Sequence, residues 1–356
     1  DFYIVNTDGV HIIEEWLRPR KDIDLIIVDE LANFRNSRTR RWKAANKIVS
    51  PRPRAWGMTG LVTPNGPTDA YAQGKLITPA RVPKYFKAFQ TTVEYQVTPF
   101  LWRPRKEAND IISNMLRPAV RFATEDCIDL PPTTFSTRYS DMSKDQEKAY
   151  KSLVTLFYTM YQGQEINAAN AGVKTAKLLQ VAAGFAYTEG EGVVTFPDNN
   201  KIKLLREIIK ETNHKIIVFA PFRHAVDLIF KDLGKDYSVA KVYGGVSKSV
   251  RDHIFSEFRQ PSGPRIIAAH PSAMSHGITL TEADTIVWYS PTTSYETYEQ
   301  ANARIVRPGQ VNHTHIINLE SCAIEKKMYT TLANKGNTSN VLLDMFAELT
   351  SKRKGG

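Results

Sequence analysis

Five short, uninterrupted apolar runs are spread along this 356-residue sequence. Each run is rich in β-branched residues, is continuous rather than alternating, and is followed by polar or turn residues. That pattern is typical of strands that are buried on both faces of a parallel sheet. The runs are IDLIIVDE (23–30), KIIVFA (215–220), RIIAAH (265–270), DTIVWYS (284–290) and THIINLE (314–320).

Helical periodicity fills the gaps between the later runs. KIKLLREIIKE (201–211) and RHAVDLIFKDL (223–233) each place apolar residues on one stripe of a helix. Strands that alternate with helices predict an α/β domain from residue 199 onward. Between residues 71 and 190, helical stretches and Pro-containing connections predominate. There, DLPPTTFSTRYSD (129–141) is expected to be an extended crossing segment, because Pro131 and Pro132 disfavour a helix.

The composition favours a polyanionic partner. The sequence has 47 Lys and Arg residues against 37 Asp and Glu residues, a formal net charge of +10. No run approaches the roughly 18 consecutive apolar residues that a membrane span needs. The two cysteines, Cys127 and Cys322, fit neither a disulfide framework nor a zinc site. We therefore expect no membrane partner, no structural zinc and a reducing cytoplasm.

Two carboxylates, Asp29 and Glu30, follow the first apolar run in VDELANFRN (28–36). A parallel strand that ends there puts both at the sheet's carboxyl edge, where α/β folds bind their ligands. In a nucleotide hydrolase, the first would hold magnesium through water and the second would orient or deprotonate the attacking water. The alternative is a polar strand end that caps the next helix.

A basic segment follows this strand end. Residues 35–54 include eight Lys and Arg residues, among them Arg38 and Arg41, and no Asp or Glu. Such a segment could neutralise nucleic-acid phosphates, although a solvated helix face is the alternative. Thr59 and Gly60 then precede a sharp turn, which either couples a nucleotide site to a neighbouring surface or only connects two elements.

The stretch from 265 to 310 carries the strongest local signal. The loop HPSAMSHG contains His270, Ser272, His276 and Gly277, and its hydroxyls and amides could bind a phosphate. TTSYETYEQANARIVRPGQ (292–310) is then predicted to be a helix that Pro308 and Gly309 stop.

Two arginines lie near the end of this predicted helix. Arg304 and Arg307, at i and i+3, are expected to share a helical face with Gln300. A guanidinium pair aimed at a triphosphate would stabilise charge that develops in phosphoryl transfer. The alternative is a pair of surface arginines that bind Glu296 and Glu299.

Seven segments, taken in order, resemble the consecutive motifs of a superfamily-two helicase of the Swi/Snf type. The last two are most similar to those of compact bacteriophage members. The resemblance covers nearly the whole chain. The segments are VDELANFRN, MTGLVTPNGPTDAY, LPPTTF…SDMSKDQEKAY, KIIVFAPF, VYGGVSKSVRDHIFSEF, HPSAMSHGITLTEADTIVWYSP and YEQANARIVRPGQ.

The resemblance implies an α/β fold of two RecA-like lobes, the first one incomplete, with a helical insertion between them. Residues 1–70 would be the C-terminal part of lobe one, 71–198 the helical protrusion and inter-lobe linker, and 199–356 lobe two. ATP would be clamped between the lobes, with magnesium at Asp29 and the attacking water at Glu30. The other implied ATP residues are Thr59 and Gly60, which couple the lobes, and Gln300, Arg304 and Arg307.

The resemblance also implies contacts with DNA. Arg251, Ser272 and Gly277 would lie near the DNA backbone, and Asn6 opens NTDGV (6–10), which is similar to a DNA-contacting motif of lobe one. The sequence contains no GxxxxGK[ST] phosphate-binding loop, so we expect a fragment of a longer protein that hydrolyses little ATP alone.

The predicted function is that of an ATP-dependent DNA translocase or helicase. It would act as a monomer on duplex DNA, in the host cytoplasm if it is of phage origin. A non-catalytic nucleic-acid-binding scaffold with a helicase-like fold and an RNA helicase of the same superfamily remain alternatives.

Overall fold

The computed structural model describes residues 2–98, 101–122, 127–163, 168–188, 190, 192–274, 277–335, 338 and 341–354. The chain divides into two units, Asp1–Phe122 and Ala123–Gly356. None of the helices in these described ranges has both the length and the apolar character to cross a membrane.

The first unit contains a two-stranded parallel sheet, a β-hairpin and several short helices. The sheet pairs β1 with β2, and the hairpin pairs β3 with β4. The strands are β1 (Leu25–Val28), β2 (Arg54–Gly57), β3 (Glu94–Thr98) and β4 (Leu101–Pro104). The α-helices are α1 (Glu14–Leu17), α2 (Arg40–Val49), α3 (Ala70–Ile77), α4 (Phe86–Val93) and α5 (Ala108–Leu116). Single 3₁₀ turns span Thr7–Gly9, Leu31–Phe34, Pro67–Asp69 and Pro79–Arg81.

Two small cores hold the first unit together. One joins the sheet to α2 and α3 through Val28, Leu31, Phe34, Ala45 and Leu76. The start of α2 is fixed by an N-cap, in which the Thr39 hydroxyl accepts a hydrogen bond from the Trp42 amide. The other core gathers α3, α4 and α5 around Phe89 and Val93. Residues 40–49 of the basic segment are therefore helical, with their apolar side buried.

The second unit is built on a six-stranded parallel sheet in the order β5-β12-β11-β8-β10-β9. A short β-hairpin pairs β6 with β7. The strands are β5 (Thr133–Tyr139), β6 (Phe185–Tyr187), β7 (Val193–Thr195), β8 (Lys215–Phe219), β9 (Val239–Val242), β10 (Ile266–Ala269), β11 (Ala283–Trp288) and β12 (Thr314–Glu320).

Helices cover this sheet and form a second apolar cluster beside it. Helix α8 carries Leu205 and Ile208 into the sheet core, and α9 adds Val226 and Ile229. The second cluster packs α6, α7, α12 and α13 around residues such as Phe346. The helices are α6 (Lys144–Gln162), α7 (Ala168–Ala182), α8 (Asn200–Glu211), α9 (Arg223–Leu233), α10 (Lys248–Phe258), α11 (Tyr295–Asn302), α12 (Ala323–Ala333) and α13 (Val341–Lys354), with a 3₁₀ turn at Pro271–Met274.

The apolar runs of the sequence all become parallel strands. Every residue of β10 and β11 is buried, as a sheet with both faces covered requires. Burial of each Ile or Val side chain contributes about 1.5–3 kcal/mol relative to exposure. The α/β fold class predicted from these runs is confirmed.

Strand β5 was expected only as an extended crossing segment. In the structure it pairs along its whole length with β12, from Thr133 opposite Thr314 to Tyr139 opposite Glu320. It therefore forms an edge of the large sheet, and it belongs to the same unit as β8 to β12. Its residues Phe135 and Tyr139 are exposed, which explains why this strand lacks a continuous apolar run.

Candidate functional site

The carboxylates of Asp29 and Glu30 lie directly after β1 and are exposed. The Glu30 amide donates a hydrogen bond to Asp29 Oδ1 at 2.9 Å. Glu30 has φ +50° and ψ +54°, a left-handed conformation that costs a non-glycine residue free energy and is enriched at functional sites. Glu30 precedes the 3₁₀ turn at Leu31, but its side chain makes no capping hydrogen bond there. The capping alternative therefore does not describe Glu30.

The predicted coupling residues, Thr59 and Gly60, lie next to this acidic strand end. The Met58 amide donates to the Val28 carbonyl at 2.9 Å, and the Met58 carbonyl accepts from the Leu31 amide at 2.8 Å. These bonds hold the segment that leads into Thr59 against the end of β1. The Thr59 hydroxyl donates to the Leu61 carbonyl at 3.0 Å, which closes a tight turn around the exposed Gly60.

Asn6 and Arg41 meet in the first unit through Asp8. The Asn6 side chain accepts from the Asp8 amide at 3.0 Å, and Asp8 Oδ1 pairs with Arg41 Nη2 at 2.8 Å. Arg38 is exposed at the start of the same basic segment. Lys47 of this segment pairs with Glu14 at 2.9 Å. The basic segment, which has no acidic residue of its own, is thus partly balanced by carboxylates from residues 8–14.

The helix predicted through Arg304 and Arg307 ends earlier in the structure. Helix α11 stops at Asn302, and residues 303–309 form a series of turns. The backbone leaves the helix because the Arg304 carbonyl accepts from the Leu280 amide at 3.0 Å, while Ile305 is fully buried. The prediction that the two arginines share a helical face is therefore wrong.

The arginines are nevertheless brought together, at one backbone oxygen. Arg304 Nη1 donates to the Ile278 carbonyl at 3.1 Å, and Arg307 Nη1 donates to the same oxygen at 3.2 Å. Arg304 Nε also donates to the Gln300 carbonyl at 2.7 Å, which ties Gln300 to the pair. Arg304 is only 8% exposed, so the surface-arginine alternative does not describe it.

Residues that sequence reasoning missed hold this arrangement in place. Trp288 at the end of β11 is fully buried, and its Nε1 donates to Asn302 Oδ1 at 2.9 Å. Gln310 is also buried, and its Nε2 donates to the Ala283 carbonyl at 2.9 Å. Both contacts fix the ends of the segment that carries the arginines. They join residues distant in sequence, so no local pattern signals them.

The loop after β10 holds Ser272 and Gly277. Ser272 Oγ and His270 Nδ1 are hydrogen-bonded at 2.7 Å, and burial lowers the pKa of His270, which favours its neutral form. Gly277 has φ +59°, is exposed, and immediately precedes Ile278, the residue that the arginines contact. His276 lies outside the described residues.

Arg251 follows β9, the strand next to the one that leads into this loop. It lies half-buried on α10, which follows β9, and β9 is the neighbour of β10. Arg251 and Ser272 therefore both follow strands whose carboxyl ends form one edge of the sheet, where α/β folds bind ligands.

Comparison with known proteins shows what the chain is similar to. The family model described as the helicase conserved C-terminal domain matches residues 200–309. Putative protein p41 of Acyrthosiphon pisum secondary endosymbiont phage 1 is 22% identical over 99% of this chain and 78% of its own length. The SWI/SNF-related matrix-associated actin-dependent regulator of chromatin subfamily A-like protein 1 of Xenopus tropicalis is 21% identical over 82% of this chain.

These comparisons support the resemblance of the chain to superfamily-two helicases of the Swi/Snf type. The C-terminal part of the Fun30 ATPase domain, a solved structure, matches 63% of this chain with a TM-score of 0.51 and 17% identity. That likeness supports a RecA-like fold for this chain. The chain spans 30% of the length of the Xenopus relative, so it matches only a part of that larger protein.

Proposed function

We propose that this Swi/Snf-type chain works as a monomer in an ATP-dependent translocase or helicase that moves along duplex DNA. In this proposal Asp29 holds magnesium through water, Glu30 orients the attacking water, and Thr59 and Gly60 couple nucleotide state to movement. Gln300, Arg304 and Arg307 contact the nucleotide. The proposed DNA contacts are Asn6, Arg38, Arg41, Arg251, Ser272 and Gly277. A phage relative over 99% of the chain is consistent with a host cytoplasm.

The acidic strand end has the chemistry that a hydrated magnesium ion requires. Asp29 and Glu30 offer exposed carboxylate oxygens, which are hard ligands, at the carboxyl end of a parallel strand. Bound ATP would supply the phosphoryl group that is transferred to water, and bound magnesium would offset the negative charge of the phosphates. The left-handed backbone of Glu30 would set the direction in which its side chain leaves the main chain.

The contact of Arg304 and Arg307 with one carbonyl oxygen carries the proposal. That oxygen belongs to Ile278, which follows Gly277 in the loop assigned to DNA. A shift of either guanidinium toward a phosphate would remove a hydrogen bond from this loop. The loop and the arginines are therefore linked by contacts short enough to transmit a change in one to the other.

DNA binding is supported by charge and tested by its salt dependence. The chain carries a net charge of +10, and each phosphate that a side chain neutralises steepens the salt dependence of duplex affinity by about 0.9 in logarithmic slope. We expect Arg251→Gln to flatten that slope by about 0.9, and Arg38→Gln with Arg41→Gln by about 1.8. The measurement is fluorescence anisotropy with a labelled duplex over a range of salt concentrations.

The exposed Lys210 of α8 provides the control, since Lys210→Gln removes one charge outside the proposed contacts. Wild-type slopes in the Arg251 and Arg38/Arg41 variants would contradict the assigned DNA contacts. Tighter binding of duplex RNA than of duplex DNA would favour the RNA helicase alternative.

The effect of nucleotide on DNA affinity separates the enzyme from the scaffold. The 356 residues contain no GxxxxGK[ST] sequence, so we expect this chain by itself to hydrolyse ATP negligibly. DNA-stimulated turnover by the chain would contradict that expectation. DNA affinity that responds to magnesium and ATP in wild type but not in Arg307→Ala would favour the enzyme over the scaffold.

A further inference from the structure

A basic and aromatic surface lies at the start of α4 in the first unit. None of its residues is among those that the proposed function assigns to ATP or duplex DNA. It consists of Lys84, Tyr85, Lys87 and Trp102, and we call it the α4 patch. The first three are exposed and Trp102 is half-buried. Tyr85 is 66% exposed, so its ring is open to a ligand.

Each aromatic ring of the α4 patch has an ammonium group beside it. Lys87 Nζ lies 3.8 Å from the centroid of the Trp102 ring, and Lys84 Nζ lies 5.4 Å from that of Tyr85. Both distances are within the range of cation–π attraction. Within the described part of the chain, no carboxylate forms an ion pair with Lys84 or Lys87. Lys87 Nζ also donates a hydrogen bond to Gln90 Oε1 at 3.4 Å, so the two rings and this amide hold charges that no described carboxylate neutralises.

The backbone beneath the α4 patch is anchored. The Tyr71 hydroxyl donates to the Lys84 carbonyl at 2.9 Å, and the Tyr71 ring packs edge-on against Phe86 at 5.4 Å between centroids. One turn further along α4, Phe89 is almost fully buried in the core of the first unit. The exposed ring of Tyr85 is thus presented by a fixed backbone, which lowers the entropy lost when a ligand binds.

The charge around the α4 patch fits a polyanion. Residues 79–106 include six basic residues and one acidic residue, Glu94. The Glu94 carboxylate accepts a hydrogen bond from Gln90 Nε2 at 3.1 Å. The exposed aromatic ring indicates which polyanion, because unpaired bases offer faces that can stack and the bases of a duplex do not.

We propose that the α4 patch binds single-stranded DNA, with a base stacked on Tyr85 and phosphates near Lys84 and Lys87. This inference rests on the proposed function for the choice of DNA over RNA. It adds to that function a contact with an unpaired strand, which a protein that only follows duplex DNA does not need.

Substitutions in the α4 patch separate stacking from charge. Tyr85→Ala should weaken binding of an oligothymidylate of about 16 nucleotides by about 5- to 150-fold, and Tyr85→Phe should retain wild-type affinity. Lys84→Gln with Lys87→Gln should flatten the salt dependence of the same binding by about 1.4 in logarithmic slope. Binding of a blunt duplex should be unchanged in Tyr85→Ala. All are measured by fluorescence anisotropy on the whole chain.

A double variant of exposed lysines in the second unit, Lys210→Gln with Lys231→Gln, is the matched control for lost charge. An equal flattening of the slope in this control, or wild-type oligothymidylate affinity in Tyr85→Ala, overturns the inference. If duplex binding still responds to Arg251→Gln in that case, the proposed function stands while the α4 patch fails. Wild-type chain that binds neither DNA form contradicts both.

Discussion

The buried ion pair between Lys201 and Glu325 is expected to contribute strongly to the stability of the second unit. Lys201 Nζ lies 2.6 and 2.8 Å from the two carboxylate oxygens, and the side chains are 1% and 0% exposed. One carboxylate oxygen also accepts from the Ser321 amide at 2.8 Å. The pair links the start of α8 to α12, residues that are 124 apart in sequence.

Removal of the lysine alone should be costly. Lys201→Met leaves Glu325 buried without its counter-charge, and loss of one partner of such a pair costs about 3–5 kcal/mol. The double change Lys201→Met with Glu325→Gln removes both charges but keeps an oxygen for the Ser321 amide. We expect the free energy of unfolding of the double variant to be within about 2 kcal/mol of that of wild type. The reason is that the attraction within a buried ion pair is largely offset by the cost of burying both charges.

Urea unfolding followed by tryptophan fluorescence measures both effects, since Trp288 is fully buried in the same unit. With a denaturant slope of about 2–3 kcal/mol per molar, Lys201→Met should lower the unfolding midpoint by about 1–2.5 M. Lys203 provides the control on the same helix. It pairs with Asp198 at 3.1 Å on the surface, and Lys203→Met should cost less than about 1 kcal/mol.

Two results would refute this reasoning. A Lys201→Met variant within about 1 kcal/mol of wild type would mean that the buried carboxylate does not need its partner. A double variant as unstable as the single one would mean that the lost free energy comes from packing of the lysine stem rather than from charge.

Three further predictions follow from the same structure. Burial raises the pKa of Cys322 to about 12, so at pH 8 a thiol reagent should label exposed Cys127 at once and Cys322 only in urea. The buried thiol also contributes stability that is lost as pH rises above its unfolded pKa of about 8.5. Rapid labelling of both cysteines would contradict the burial of Cys322. Asn302→Ala should cost about 1–3 kcal/mol of unfolding free energy, because it leaves Trp288 Nε1 unsatisfied; a thermal melt that matches wild type would argue against this bond. Gly184→Ala should cost more than about 1 kcal/mol in urea unfolding, since φ is +98° and the added methyl would lie 2.0 Å from Asn199 Nδ2; unchanged stability would show that this turn can relax.

The strands were predictable because burial on both faces leaves a continuous apolar run that can be read locally. The acidic strand end was predictable for a related reason, since parallel strands place their following residues at one edge. The end of α11 was not predictable, because it depends on contacts that are distant in sequence. The Arg304 carbonyl accepts a hydrogen bond from the Leu280 amide, and Ile305 is buried in the core. Lys201 likewise reads as a solvated helix residue until Glu325 is placed beside it.

The pairing of β5 with β12 has a consequence for how the chain folds. The hydroxyl groups of Thr133 and Thr314 are hydrogen-bonded at 2.6 Å, although the two residues are 181 positions apart in sequence. At about 5–20 residues per second, a ribosome would need roughly 10–40 s to add the residues between them. During that interval the edge of β5 that pairs with β12 is unpaired, and unpaired strand edges favour aggregation. Nascent chains of this protein should therefore depend on chaperones most in this interval, and refolding should be slowed by its long-range strand pairing.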